Sequence, residues 1–179
     1  MKSKRAVIIG GGLVGCLTAI EMKHKGFDVS IIDQFNIGSG SSIAAGGILF
    51  PLMPWDYDLK VYDLCRPAAN YYKIFCEELL KNTGIDPEYS ESGLIIINPV
   101  NTKKIDDWCN KHQIRLKKTV FNGSPSIELK NVSQIRPPEL IKSLKVYMQN
   151  LNIKMYENIK ITDFHIDKGE IKRCSSLDD

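Results

Sequence analysis

The feature that most constrains this chain lies in its first 33 residues. Ala6-Val7-Ile8-Ile9 is a short, continuously apolar, mostly β-branched run that stops at a cluster of glycines. Such a run reads as a strand buried on both faces of a parallel sheet. Leu13, Cys16, Leu17, Ile20 and His24 then recur at helical spacing, and Gly26 is placed to end that helix. Val29-Ser30-Ile31-Ile32 reads as a second strand. Together they make a βαβ unit, for which parallel strands and a right-handed crossover are expected.

The glycines at the first junction carry chemistry. In Gly10-x-Gly12-x-x-Gly15, Gly10 permits a tight turn, Gly12 lets the backbone approach a pyrophosphate, and Gly15 lets helix pack closely on strand. The amides of Leu13 and Val14, at the helix N-terminus, then face the phosphates. Asp33 closes the second strand, 18 residues beyond Gly15, where a carboxylate accepts hydrogen bonds from an adenosine ribose. With strand, glycines, helix and acid all in place, the block reads as a dinucleotide site rather than a flexible turn. No arginine stands beside Asp33, which disfavours the 2′-phosphate of NADP but does not separate NAD from FAD.

A second signal follows in Gly38-Ser39-Gly40-Ser41-Ser42-Ile43-Ala44-Ala45-Gly46-Gly47. In its plainest reading Ser42 only N-caps a short helix. In its functional reading the hydroxyls of Ser41 and Ser42, with the amides around Gly46, Gly47 and Ile48, form a second anion cradle. The two are compatible. A nicotinamide-binding domain has little need of so elaborate a loop after its second strand, so the balance tilts to a flavin.

Residues 34–57 form a long connection rich in Gly, Ser and Pro, which inside a compact domain points to binding. Beyond it, helical patterns run over 58–82, with a kink expected at Pro67, over 103–112 and over 137–150, where Leu140, Leu144 and Met148 share a face. Strands are expected at 94–97, 153–156, 159–166 and 170–174, the last two joined by a turn at Asp167-Lys168-Gly169. The stretch between His112 and Pro137 is polar, with few regular signals. Trp108, Tyr71 and Tyr72 read as core, and Trp55 as core or the border of a cavity.

Composition excludes several classes. Of 179 residues, 43% are apolar and 25% charged, which excludes collagen-like and disordered chains. Basic residues number 24 against 21 acidic, without the stripe that a nucleic-acid partner needs. No run reaches the roughly 18 apolar residues of a spanning helix. Cys16, Cys65, Cys76, Cys109 and Cys174 are widely spaced and odd in number, so a reduced, cytoplasmic setting is expected rather than a disulfide framework. Glycines interrupt the apolar stretch after Arg5, against a signal peptide. His24, His112 and His165 lack metal-ligand spacing, so no metal is expected.

The run VIIGGGLVGCLTAIEMKHKGFDVSIIDQ resembles the N-terminal fingerprint of FAD-dependent oxidoreductases. GSGSSIAAGGILFPLMPW resembles the segment that follows it in the glycine oxidase and D-amino-acid oxidase family, and TGIDPEYSESGLIII and QIRPPELIKSL extend the likeness along the chain. The resemblance implies an α/β fold: a Rossmann-type FAD-binding domain with a parallel sheet over residues 1–48 and 137–179, incomplete, and part of an inserted α+β substrate domain over 49–136. It implies FAD as cofactor. Leu13 and Val14 would contact it through their amides, Asp33 and Gln34 would sit at the adenosine end, and Ser41, Ser42, Gly46, Gly47 and Ile48 would line the phosphate and flavin side. Ile161 falls where the family has a residue contacting adenine.

In such oxidases, as the resemblance implies, a small amine or amino acid gives hydride to the flavin, and oxygen is a common acceptor. The arginine and tyrosine that hold the substrate belong to a later part of the family sequence. Arg66, Arg115 and Arg136 match no catalytic motif, so no catalytic residue is assigned. The chain is therefore expected to be truncated, with its last strands at an unfinished sheet edge. Two rival readings are a catalytically silent nucleotide-binding fragment and an NAD-binding Rossmann protein.

Overall fold

A computed structural model describes residues 4–49 and 53–176. Pro51-Leu52 of the long connection and the tail Leu177-Asp178-Asp179 lie outside the described residues. The chain divides into two compact units, one of residues 1–45, 79–85 and 137–179, the other of residues 46–78 and 86–136.

The first unit begins with β1 (Arg5–Ile9), α1 (Leu13–His24) and β2 (Asp28–Ile32). The strands pair in parallel, Ala6 opposite Val29 and Ile8 opposite Ile31. Gly26, at φ 83°, ends the helix: its amide donates to Lys23 O and that of Phe27 to Met22 O, satisfying carbonyls of the last turn. β6 (Lys154–Tyr156) adds to the other side of β2, also parallel, giving the order β1-β2-β6. α4 (Pro137–Asn150) packs against α1, burying Leu140, Leu144 and Met148 as their spacing predicted; Cys16, Ala19 and Ile20 are the buried residues of α1.

Strand β1 departs from its expected burial. Ala6 and Ile8 are half-buried, while Val7 and Ile9 remain 52% and 50% exposed. The reason is positional: among the described residues β1 is hydrogen-bonded on one side only, and α1 packs on it. An edge strand covered on one face alternates in burial even when its sequence is uniformly apolar. The last strands form where expected, but apart from the β1-β2-β6 sheet. β7 (Ile161–Asp167) and β8 (Glu170–Ser176) pair antiparallel with each other in a separate two-stranded ribbon. Lys168 and Gly169, both at positive φ, form its turn.

The second unit carries most of α2 (Leu59–Thr83), a helix with Pro67 inside it, whose start is capped by Asp58 Oδ1 accepting from Lys60 N at 2.8 Å. A one-turn 3-10 helix, Pro54–Asp56, stands within the connection expected to be irregular. β3 (Leu94–Ile97), β4 (Leu116–Phe121) and β5 (Ser124–Leu129) form an antiparallel sheet of order β3-β5-β4, and α3 spans Thr102–Lys111. β4 and β5 correct the expectation of an irregular stretch after His112. Their hairpin turns at Asn122-Gly123, both at positive φ. The core of this unit gathers Trp55, Ile105, Cys109, Ile127, Leu129 and Val132, with Trp108 packed against it. Tyr71 is 49% exposed, although its place on a long helix had suggested core; it stacks on Phe75 instead, with ring centroids 5.5 Å apart.

Candidate functional site

The glycine turn is built by backbone contacts that side chains would forbid. Gly10, at φ 103°, donates its amide to Ile32 O at 2.8 Å, tying the end of β1 to β2. A Cβ on Gly15 would collide with the carbonyl oxygen of Gly10, so only glycine lets α1 start this close to the strand. A Cβ on Gly12 would meet one described atom, Ser42 Oγ, at 3.2 Å, leaving its remaining approach open.

The helix N-terminus is only partly satisfied. Gly12 is its N-cap residue and offers no side chain, but Ser42 Oγ accepts from Leu13 N at 2.9 Å. The 39–45 segment forms turns and no helix, so the capping that the sequence suggested for Ser42 is exercised on α1. Among the described residues, the amides of Gly12 and Val14 have no hydrogen-bond acceptor. Two free amides, a helix dipole and a serine O–H make a donor set suited to phosphate oxygens.

Asp33 lies beside this turn. Its Oδ2 accepts from Gly11 N at 2.6 Å and its Oδ1 from Phe35 N at 2.7 Å. Each oxygen keeps a lone pair for a further donor, such as a ribose hydroxyl. Gln34 is exposed, as is Ser41, on the loop that follows. Ile161 is half-buried at the start of β7, two residues after Ile159, whose amide donates to Asp33 O at 2.9 Å. Gly46, Gly47 and Ile48 belong to the second unit, where Ile48 bridges to Gln134 and Gly47 O accepts from Ile135 N.

Sequence reasoning missed Gly11, Ile37 and Glu157. Gly11 N holds Asp33, and Gly11 O accepts from Gly38 N at 2.8 Å. Ile37, 3% exposed, lies where a Cβ on Gly11 would approach its Cγ1 to 2.7 Å. Glu157 Oε1 accepts from Ile37 N at 2.8 Å and from Lys145 Nζ at 2.7 Å, and these two bonds, the lysine first, hold its carboxyl below the usual range. The triple glycine pointed to Gly11; no local pattern marks a glutamate 120 residues from its loop partner.

The chain that carries this glycine turn is similar to known proteins. The family model described as FAD dependent oxidoreductase matches residues 5–177. The chain belongs to that family. Glycine oxidase of Pseudomonas putida is 32% identical over 98% of this chain, and glycine oxidase of Pseudomonas aeruginosa is 29% identical over 89%. The solved glycine oxidase of Bacillus cereus superposes with a TM-score of 0.86 over 99% of this chain at 22% identity, and L-amino acid deaminase from Proteus vulgaris with 0.79 over 98% at 16%. The chain spans about half the length of the curated relatives it matches, 52% and 47% for the two glycine oxidases.

In the second unit, Trp55, Met53, Ile96, Ile97, Val100 and Ile105 help line a cavity of about 340 Å³. Beside Trp108, His112 stacks at 4.3 Å and meets Tyr62 at 4.9 Å, an aromatic packing role. Among the described residues no histidine, cysteine and carboxylate cluster could hold a metal ion, and no helix is long and apolar enough to cross a membrane.

Proposed function

We propose that this chain is the FAD-binding portion of an oxidase acting on glycine, a D-amino acid or a similar small amine, with oxygen as one acceptor. The carrying observation is the pairing of two unaccepted amides, Gly12 and Val14, with the Asp33 carboxylate across one glycine turn. The residues present fit the cofactor: donors collect where a pyrophosphate needs them, and the open side of Gly12 leaves room for it.

Leu13, Val14, Gly12 and Ser42 would hold the pyrophosphate, Asp33 and Gln34 the ribose, and Ile161 the adenine. Ser42 would cap Leu13 and at once offer its O–H to a phosphate oxygen. When bound, FAD would supply the redox chemistry as acceptor of a hydride, which carries both electrons from the amine carbon, while the nitrogen gives up a proton to leave an imine. The protein's share in these residues is to bind and orient. No residue of this chain is assigned to the chemical step. A cytoplasmic setting accords with five free cysteines.

A second reading is a catalytically silent nucleotide-binding protein, since no residue of this chain is assigned to the chemical step. Titration of the purified chain with FAD, followed by flavin fluorescence, tests the first step: saturable binding is expected, and a protein that takes up none overturns the proposal. Anaerobic addition of glycine, sarcosine and D-alanine then separates the two readings. Bleaching of bound flavin supports the oxidase, and an unchanged spectrum the silent protein.

A further inference from the structure

Glu157 has no place in the assignments above, yet it holds the loop that begins at Asp33. Directly after β6, the backbone of residues 156–159 runs beside residues 33–35: Asp33 N donates to Tyr156 O at 2.9 Å, Asn158 N to Phe35 O at 3.2 Å and Ile159 N to Asp33 O at 2.9 Å. Backbone pairing stops at Phe35. The next ties are side chains: Asn158 Nδ2 donates to Asn36 Oδ1 at 3.4 Å, and Glu157 Oε1 accepts the Ile37 amide at 2.8 Å.

That tie reaches the glycine turn. Ile37 is buried against Gly11, and Gly11 N is the donor to Asp33 Oδ2. One carboxylate oxygen, together with the bond from Gly38 N to Gly11 O at 2.8 Å, thus anchors the far end of a loop whose near end is Asp33. Lys145 Nζ, 2.7 Å from the same oxygen, fixes the glutamate in turn. An exposed ion pair alone contributes little, but here the charged acceptor also serves the backbone amide of a buried residue, and such bonds are the stronger kind.

We propose that Glu157 is a positioning residue for the adenosine end of the dinucleotide site, keeping Ile37 against Gly11 so that the Asp33 carboxylate stays where a ribose hydroxyl would meet it. The inference rests on the nucleotide-binding reading above. It concerns the ribose rather than the phosphates, because Val14 and Ser42 share no bond with Glu157 or Ile37 among the described residues.

The full chain is titrated with ADP and with inorganic pyrophosphate by calorimetry. Pyrophosphate reads the helix N-terminus, and ADP adds the ribose and base. The unsubstituted chain is expected to prefer ADP. E157A is expected to shrink that preference by about fivefold, as the loss of one charge-assisted acceptor implies, with pyrophosphate affinity within about twofold. E157Q, whose amide oxygen can accept from both Ile37 N and Lys145, restores the preference to within about twofold.

An E157A chain with the original preference overturns the proposal. If E157A does not fold, K145M decides: an ADP preference reduced by about threefold supports the clamp, and an unchanged one overturns it. An unsubstituted chain that binds neither ligand overturns the nucleotide reading itself, and one that binds both equally removes the ribose role of Asp33 and with it that of Glu157.

Discussion

Ser42 Oγ sits 2.9 Å from the amide nitrogen of Leu13, so a residue 29 positions downstream caps a helix whose own N-cap, Gly12, has no side chain to do so. The glycine that keeps the phosphate approach open leaves a donor unsatisfied, and the following loop returns to satisfy it. S42A is therefore expected to lower stability by about 1 kcal/mol, the usual cost of losing a hydroxyl cap. Chemical denaturation measures this; an unchanged midpoint would show that the bond contributes nothing. S42T, which keeps the hydroxyl, should recover most of the loss.

Gly12 and Gly15 should fail in different ways. A methyl group on Gly15 collides with the backbone oxygen of Gly10, which no side-chain rotation relieves. G15A is expected to cost about 1–3 kcal/mol, the range of overpacked cores. A methyl group on Gly12 meets only the rotatable Ser42 hydroxyl at 3.2 Å. G12A should lose ADP affinity and at most the roughly 1 kcal/mol of the Ser42 cap. Binding by G12A as tight as that of the unsubstituted chain would remove the phosphate from this turn.

Glu157 gives a pH dependence with a definite sign. Its carboxyl is held below the ordinary value of 4.5, chiefly by the hydrogen bond from Lys145 and then by that from Ile37 N. A depressed acid stabilises the fold above the unfolded value, and that stability disappears as pH falls through the folded one. The stability of the unsubstituted chain relative to E157Q is thus expected to be constant near neutrality and to shrink between about pH 5 and pH 3. Parallel denaturation series at several pH values test it, and two curves that stay parallel throughout would refute it.

The sequence made the βαβ unit legible because every signal in it is local: an apolar run, glycines at fixed offsets, a helical period, and an acid at the end of the second strand. The hairpin of β4 and β5 was missed although it carried a local signal. Asn122-Gly123 is the dipeptide that two-residue turns favour, but Lys117 and Lys118 break the alternation before it and Pro125 follows it. Exposure of Val7 and Ile9 was not legible, because a run of apolar residues does not record how many neighbours a strand acquires. Nor was the tie between Glu157 and Ile37, which exists only once β6 lies beside β2. Pairwise contacts across 120 residues leave no periodicity to read.

The five cysteines should separate by reactivity, and the separation reports on packing beneath the glycine turn. Cys16 is fully buried on α1, with its Sγ 3.5 Å from Gly11 O. Burial first, and then the charge of Asp33, push its thiol up to about 12. Only about one such thiol in ten thousand is ionised at about pH 8, and the thiolate is the reacting species. Burial likewise raises Cys76 to about 11 and lifts Cys109 above its ordinary value. Cys65 and Cys174 are half-buried. Brief alkylation of the native chain should therefore label Cys65 and Cys174 and spare Cys16, Cys76 and Cys109, which react once the chain is unfolded. Because Cys16 touches the carbonyl of the residue whose amide holds Asp33, its protection is a direct gauge of whether that turn is formed. Peptide mapping by mass spectrometry reads the outcome. Native labelling of Cys16 at the rate of Cys65 would mean that α1 is not seated on β1 as described, and the nucleotide site built on that junction would fall with it.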